Sequence, residues 1–298
     1  MIHRYVLHNN DICEASERTL SPGQIGLLSG WGVFSTLQVT QGIPFAFERH
    51  WARISRDAAV FHVPLPDDPE RLHRGLLDLI AANQAQNSTM RLVIVRNGGG
   101  MWAGPSTGAP FDVIALTADS KNWGEGVKLS YVAQARHAAC PFAGNKVLSW
   151  AMNLTWMELA QARGFDEVIL LNERGEVAEC TSANIFAAKG DEVWTPPLSS
   201  GCLPGITREV VMQETGASGI RVVEKPLTPA ELEASDEIFI TSTTRNLLPV
   251  AQIEDRKMGR ADGARQALLN AFSEYVQRYV AEQAEAAIHG RAQKNGSK

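Results

Sequence analysis

The sequence predicts an α/β (α+β) chain of two domains, a small α/β domain followed by a larger, strand-rich one. Three observations carry this. The 298 residues exceed what one hydrophobic core comfortably serves. The first third mixes amphipathic helix patterns with β-branched strands, whereas the second half is dominated by short strands and hairpins. Between them, 119–126 is polar and contains Gly124 and Gly126, so the expected boundaries are 1–118, a linker at 119–126, and 127–298.

Trp51, Ile54, Ala58 and Phe61 recur at helical spacing and predict an amphipathic helix over 48–62. A second helix is expected to start at Pro69 with Asp68 as its cap, its apolar stripe being Leu72, Leu76, Leu79 and Ile80. Residues 91–96 and 113–117 are short, β-branched and flanked by turn formers, which predicts strands. Gly98, Gly99 and Gly100, followed by Gly104 and Gly108, lack dinucleotide-binding spacing and read as a loop that could wall a pocket.

Beyond the linker, a strand is expected over 127–132, then a loop through Pro141 to Lys146 and a helix from Trp150 that stops near Gly164. Two hairpins follow, 167–172 with 176–180 across Arg174 and Gly175, and 185–188 with 193–195 across Gly190 and Asp191. Thr228, Pro229 and Glu231 form a capping box with proline at the first helical position. A strand over 237–241, a long helix over 264–287 and a frayed tail from His289 complete the chain.

Composition narrows the function classes. Hydrophobic residues are 44% and charged residues 20% of the chain, a balance that argues against disorder. A formal net charge of −5 offers no electrostatic reason to expect nucleic acid or an anionic membrane as partner. No apolar run approaches a membrane span, and the polar stretch His8-Asn9-Asn10-Asp11 does not resemble a leader, so a cytoplasmic location is expected. Cys13, Cys140, Cys180 and Cys202 have no repeated spacing; they are expected as reduced thiols, with no metal site, because no second pair follows His137 and Cys140.

The residues able to carry chemistry lie mostly in the second half. Lys146 sits in the largely apolar stretch 143–148, where a lysine either reaches to solvent or is buried for a reason. Glu179 ends a hairpin strand ahead of Asn184-Ile185-Phe186, compatible with a strand–turn–strand or with a functional carboxylate. Leu203-Pro204-Gly205-Ile206-Thr207-Arg208 runs into a helix pattern and offers free N–H groups and a hydroxyl, whether as a cap or as an anion site. Thr241-Ser242-Thr243-Thr244 is a second hydroxyl-rich turn after a strand. Arg91 and Arg96, if they share a strand, point to opposite faces.

Taken in order, these segments resemble the fold-type IV (class IV) pyridoxal-phosphate enzymes, a family of branched-chain and D-amino-acid aminotransferases and 4-amino-4-deoxychorismate lyase. Gly30-Trp31-Gly32-Val33-Phe34-Ser35-Thr36-Leu37 is similar to the family's Gly-Asp-Gly-Val-Phe-Glu-Thr-Leu segment, and His50-Trp51-Ala52-Arg53 to its His-x-x-Arg helix. The resemblance covers nearly the whole chain. It implies a larger domain built as a pseudo-barrel, pyridoxal 5'-phosphate as cofactor, a small amino-acid or 2-oxo-acid substrate, and a homodimer. It further implies that Lys146 holds the cofactor and moves the substrate proton, and that Glu179 faces the pyridine nitrogen. Arg53 would bind the phosphate with Ile206, Thr207, Ser242 and Thr243, and Asn184 would be a further cofactor residue. Phe34, Thr36 and Arg96 are the expected substrate residues. The expected reaction is amino transfer between an amino acid of branched-chain type and a 2-oxo acid, the alternatives being the lyase and, after it, a pyridoxal-phosphate-binding protein without catalysis. Four departures stand out. Trp31 and Ser35 replace the family's frequent acids, and Ala151 stands where branched-chain members usually carry a tyrosine. Gly98-Gly99-Gly100-Met101-Trp102 after Arg96 lacks the arginine and histidine of the D-amino-acid carboxylate trap, so D-amino acids are not the expected substrates.

Overall fold

The computed structural model describes the chain except residues 18, 19, 22, 101–107, 191, 217, 218, 260, 261 and 296–298, and gives backbone alone from 287 onward. Met101 to Thr107 of the glycine-rich loop, Asp191 of the second hairpin turn and the end of the tail therefore lie outside the described residues. The chain forms two compact units, one containing Met1–Ser120, Lys146–Ser149 and Glu274–Lys298, the other Lys121–Asn145 and Trp150–Ser273.

In the first unit the elements run β1 (Ile2–His8), β2 (Asp11–Glu14), α1 (Ile25–Ser29), β3 (Gly32–Thr40), β4 (Ile43–Pro44), α2 (Phe47–Val60), α3 (Pro69–Asn83), β5 (Ser88–Arg96) and β6 (Phe111–Asp119). The strands make one antiparallel sheet in the order β2-β1-β6-β5-β3-β4. Side chains alternate across it. Val33, Leu37 and Val39 of β3, with Leu92 and Ile94 of β5, bury against Ile54 and Ala58 of α2 and the expected leucine stripe of α3. Asp68 caps α3 by accepting from the Arg71 N–H. The opposite face carries Phe34, Thr36 and Arg91.

A detached piece of chain completes this sheet. The Phe34 N–H donates to the Lys146 carbonyl and the Leu148 N–H to that of Gly32, so 146–148 lies along the edge of β3. Gly32 permits this approach, because a Cβ there would meet the Ile94 carbonyl on one side and Leu148 on the other.

The second unit contains β7 (Val127–Arg136), α4 (Ala151–Ala162), β8 (Glu167–Asn172), β9 (Val177–Cys180), β10 (Asn184–Lys189), β11 (Glu192–Thr195), α5 (Ile206–Glu214), β12 (Arg221–Glu224), α6 (Pro229–Glu233), β13 (Glu237–Ser242), β14 (Asn246–Ile253) and β15 (Arg256–Lys257). The strand order is β12-β11-β10-β13-β14-β7-β8-β9, with β15 beside β14. Both expected hairpins form, as does the Thr228 capping box. Strand β14 carries Pro249 yet lies inside the sheet; it pairs with β13 at Phe239, and its ladder to β7 shifts register just after the proline. The proline itself stands one residue ahead of the first β7 pairing, Val250 with Val127.

The last helix, α7 (Gly263–Asn295), was expected wholly within the second domain, but Glu274–Lys298 groups with the first unit. The physical reason is specific. Tyr275 and Tyr279 meet the Phe45 ring edge-on at 6.1 and 5.2 Å, and the Tyr279 hydroxyl donates to Glu48 at 2.7 Å. Among the described residues no helix is long and apolar enough to cross a membrane.

Candidate active site

In the first unit, α2 turns one buried face toward the sheet. His50, Arg53 and Asp57 are spaced to share that face, and they are 1%, 7% and 1% exposed. The Asp57 Oδ2 accepts the backbone N–H of Lys146 at 3.0 Å, while its other oxygen is held by Arg56. The Lys146 main chain is thus fixed from both sides, by Asp57 and by Phe34. Its side chain is half-buried, and Nζ lies 4.6 Å from the centroid of the Phe34 ring. Arg53 donates from Nη2 to the Ser35 hydroxyl at 2.8 Å, and that hydroxyl lies 2.7 Å from His50 Nδ1. Burial, reinforced by the charges of Arg53 and Lys146, pushes the His50 imidazole well below its ordinary value, so it is neutral at pH 7.

The same strand places Phe34 and Thr36 on the opposite face, as expected for residues two apart. Arg91 is the cross-strand partner of Thr36, and its guanidinium lies 4.2 Å from the Phe34 centroid. Burial lowers its pKa, its Nε is buried with no hydrogen-bond partner, and no carboxylate pairs with it among the described residues. Arg96 is differently engaged. It donates to the carbonyls of Gly98 and His62 at 2.7 and 2.8 Å and lies over the Trp31 ring at 4.1 Å. Of the two arginines, Arg96 is the one with carbonyl acceptors among the described residues, a distinction the sequence pattern did not reveal.

In the second unit, Glu179 stands one residue before the end of β9 and is 7% exposed. One oxygen accepts from Arg136 Nε at 3.0 Å and the other from the Leu203 N–H at 3.0 Å. Asn184 Nδ2 donates to the Leu203 carbonyl at 2.8 Å. Glu179 and Asn184 therefore grip both polar groups of one residue and set the Leu203-Pro204-Gly205 entry to α5. Asn184, expected as a cofactor residue, here spends its amide N–H on this loop. Arg136 was missed, since it stands at the end of a strand with no local signal of its role.

Helix α5 starts at Ile206 with Gly205 as N-cap, and no side chain caps it. The first-turn N–H groups of Ile206 and Thr207 have no intrahelical acceptor by the geometry of any α-helix. A Cβ on Gly205 would collide with Asn184 Oδ1. Gly205→Ala is therefore expected to dislodge the Asn184 amide and cost about 1–3 kcal/mol, the usual range for overpacking; an unchanged denaturant midpoint would show the loop to be compliant. Ser242 ends β13 and Thr243 follows it, both at half-buried positions, with the Ser242 and Thr244 hydroxyls 3.4 Å apart.

Residues 32–253 match the family model for amino-transferase class IV. The chain is 30% identical over 251 residues to a putative branched-chain-amino-acid aminotransferase of Methanocaldococcus jannaschii, covering 83% of this chain and 87% of that one. It is equally 30% identical, over 258 residues, to the D-alanine aminotransferase of Bacillus licheniformis, covering 85% and 90%. A branched-chain aminotransferase from Thermoproteus uzoniensis, solved with norvaline, superposes with a TM-score of 0.83 at 26% identity, covering 92% of this chain and 95% of that one. The mixed α/β fold is that of fold-type IV, and the chain belongs to the class IV aminotransferases.

Proposed function

We propose that this pyridoxal-phosphate-dependent aminotransferase moves an amino group between an amino acid of branched-chain type and a 2-oxo acid with a second carboxylate. The observation that carries this reading is the Phe34 ring, with the Lys146 amine on it at 4.6 Å and the Arg91 guanidinium at 4.2 Å. An apolar ring beside an amine and a half-buried cation suits an aliphatic side chain in one half-reaction and a carboxylate in the other. Relatives that are branched-chain-amino-acid aminotransferases by name support the same substrate class.

The donor set fits the cofactor. Bound pyridoxal phosphate supplies an electron sink for the pair left at the substrate Cα. Lys146 holds it through Nζ and carries the proton between Cα and C4′. Glu179, fixed by Arg136 and Leu203, is the carboxylate for the pyridine nitrogen. The phosphate falls to Arg53, a planar and permanently charged donor, with the uncapped start of α5 at Ile206 and Thr207 and the hydroxyls of Ser242 and Thr243. Asn184 serves by holding the loop ahead of α5, and Thr36 flanks Phe34 on the substrate side.

A homodimer is the proposed assembly. Helix α4 leaves Met152, Leu154 and Leu159 exposed at 61%, 49% and 60%, more apolar surface than a solvated helix face needs. Light scattering on the purified protein tests this, and a monomer at micromolar concentration would sink it.

The substrate assignment is tested by a panel of donors and acceptors on the wild-type protein and Arg91→Gln. Losing one charge-assisted hydrogen bond is worth about 1.5–3 kcal/mol, so KM for 2-oxoglutarate is expected to rise about 10- to 100-fold. The half-reaction with L-leucine should change little. An equal effect on both substrates would remove Arg91 from acceptor recognition. Release of pyruvate from aminodeoxychorismate, with no amino transfer from any donor, would replace the reading by the lyase.

A further inference from the structure

The Ser35–His50 pair has no part in the chemistry just described, yet both residues are fully buried and aligned on Arg53. An arginine only donates, so the Ser35 oxygen accepts from Nη2 at 2.8 Å. The hydroxyl keeps one proton to give. His50 Nδ1, at 2.7 Å, is its acceptor among the described hydrogen bonds. That direction requires an imidazole with Nδ1 bare and the proton on Nε2, the neutral form already implied by its burial next to two cations. Ser35 is 0% and His50 1% exposed, so water does not compete for either group. In that arrangement the Ser35 proton has an acceptor among the described hydrogen bonds, and the chain from Arg53 Nη2 to Ser35 to His50 ties a side chain of α2 to β3 and back to α2 one turn earlier.

We propose that Ser35 and His50 are positioning residues that hold the Arg53 guanidinium in the orientation that takes the cofactor's phosphate, and so set affinity for phosphorylated ligands in particular. The inference rests on the reading of Arg53 as a phosphate residue. An arginine has several rotatable bonds, and fixing one edge through a neutral partner lowers the entropy lost on binding without consuming its charge. A neutral relay serves that purpose because it orients the cation and leaves its field directed at the dianion.

The test uses full-length protein freed of cofactor and titrated with three probes: pyridoxal phosphate, pyridoxal, and inorganic phosphate as competitor. For Ser35→Ala, affinity for pyridoxal phosphate and for inorganic phosphate is expected to fall about tenfold or more, matching one hydrogen bond to a charged group. Pyridoxal has the ring and aldehyde but no phosphate, and its affinity should stay within about twofold. Ser35→Thr keeps the hydroxyl and should restore phosphate affinity. Equal losses for pyridoxal and its phosphate, or no loss for either, overturn the proposal. So does a Ser35→Ala chain that fails to fold, since the hydroxyl would then be a structural support. Arg53→Ala separates the two levels. If it leaves phosphate affinity unchanged, the reading of Arg53 falls and the relay with it. If it weakens phosphate binding while Ser35→Ala does not, the relay alone is wrong.

Discussion

Lys146→Ala is expected to lose at least about a thousandfold in amino transfer, within the range for removing a positioned proton carrier, while the chain stays folded. The two consequences come from different atoms. Lys146 is held through its own backbone, its carbonyl accepting from the Phe34 N–H of β3 and its N–H donating to the Asp57 carboxylate of α2. Alanine retains both. Removing the side chain deletes the amine on the Phe34 ring, at a position that is only half-buried. Far-UV circular dichroism and the denaturant midpoint should therefore match the parent. The visible band of protein-linked cofactor should vanish, and turnover of L-leucine with 2-oxoglutarate should vanish with it. Residual turnover within about tenfold of the parent would mean another amine serves, and the assignment of Lys146 would be withdrawn. Added primary amines offer a finer check. A small amine diffusing beside Phe34 should restore part of the proton transfer in the alanine variant and none in the parent.

Much of the fold was legible because the relevant patterns are local. The α2 and α3 stripes, the Asp68 cap, the Thr228 capping box and both hairpins each fit within a short window of sequence, where helical and strand periods can be told apart. What was not legible depends on register or on distant packing. Strand β14 contains Pro249, which normally counts against an interior strand, and only the ladders to β13 and β7 show that it lies inside the sheet. The end of α7 has an ordinary helical pattern, and nothing in it tells that Tyr275 and Tyr279 pack on Phe45. The candidate site divides in the same way. Lys146, Arg53 and the Gly205-Ile206-Thr207 entry stand in recognisable segments. The pairing of Arg136 with Glu179, the Ser35 contact to His50, and the different fates of Arg91 and Arg96 arise only when strands take up one register. Five residues apart on β5, those two arginines face opposite ways, which was foreseeable; that one would be satisfied by carbonyls and the other not was a matter of what lay beneath each.

Arg245→Met should destabilise the protein by about 3–5 kcal/mol, the usual cost of leaving one member of a buried ion pair alone. Glu167 and Arg245 have side chains 0% and 3% exposed, and their charged atoms are 3.1 Å apart. Glu167 also accepts from the hydroxyls of Thr181 and Ser182. Arg245 donates to the Ser182 hydroxyl at 3.0 Å and lies over the Trp123 ring at 3.8 Å. Burial draws the guanidinium below its ordinary pKa, and the attraction of Glu167 opposes that. The pair joins the start of β8 to the turn after β13, with the turn after β9 held to Glu167 through Thr181 and Ser182, so its loss is felt at Ser242 as well. Methionine fills most of the arginine's volume but cannot answer the carboxylate, whose remaining donors are neutral. The cost is therefore chiefly electrostatic rather than a cavity. This has a consequence for the double variant: replacing Glu167 by methionine as well removes the stranded charge, and most of the lost stability should return, although the Thr181 and Ser182 hydroxyls then lack their acceptor. Urea unfolding of the cofactor-free protein is the appropriate measurement, because bound ligand adds stability of its own and would mask the difference. A single variant within about 1 kcal/mol of the parent, or a double variant no better than the single, would show that the pair is solvated in solution and that hydroxyls and ring, rather than charge, hold these two turns together.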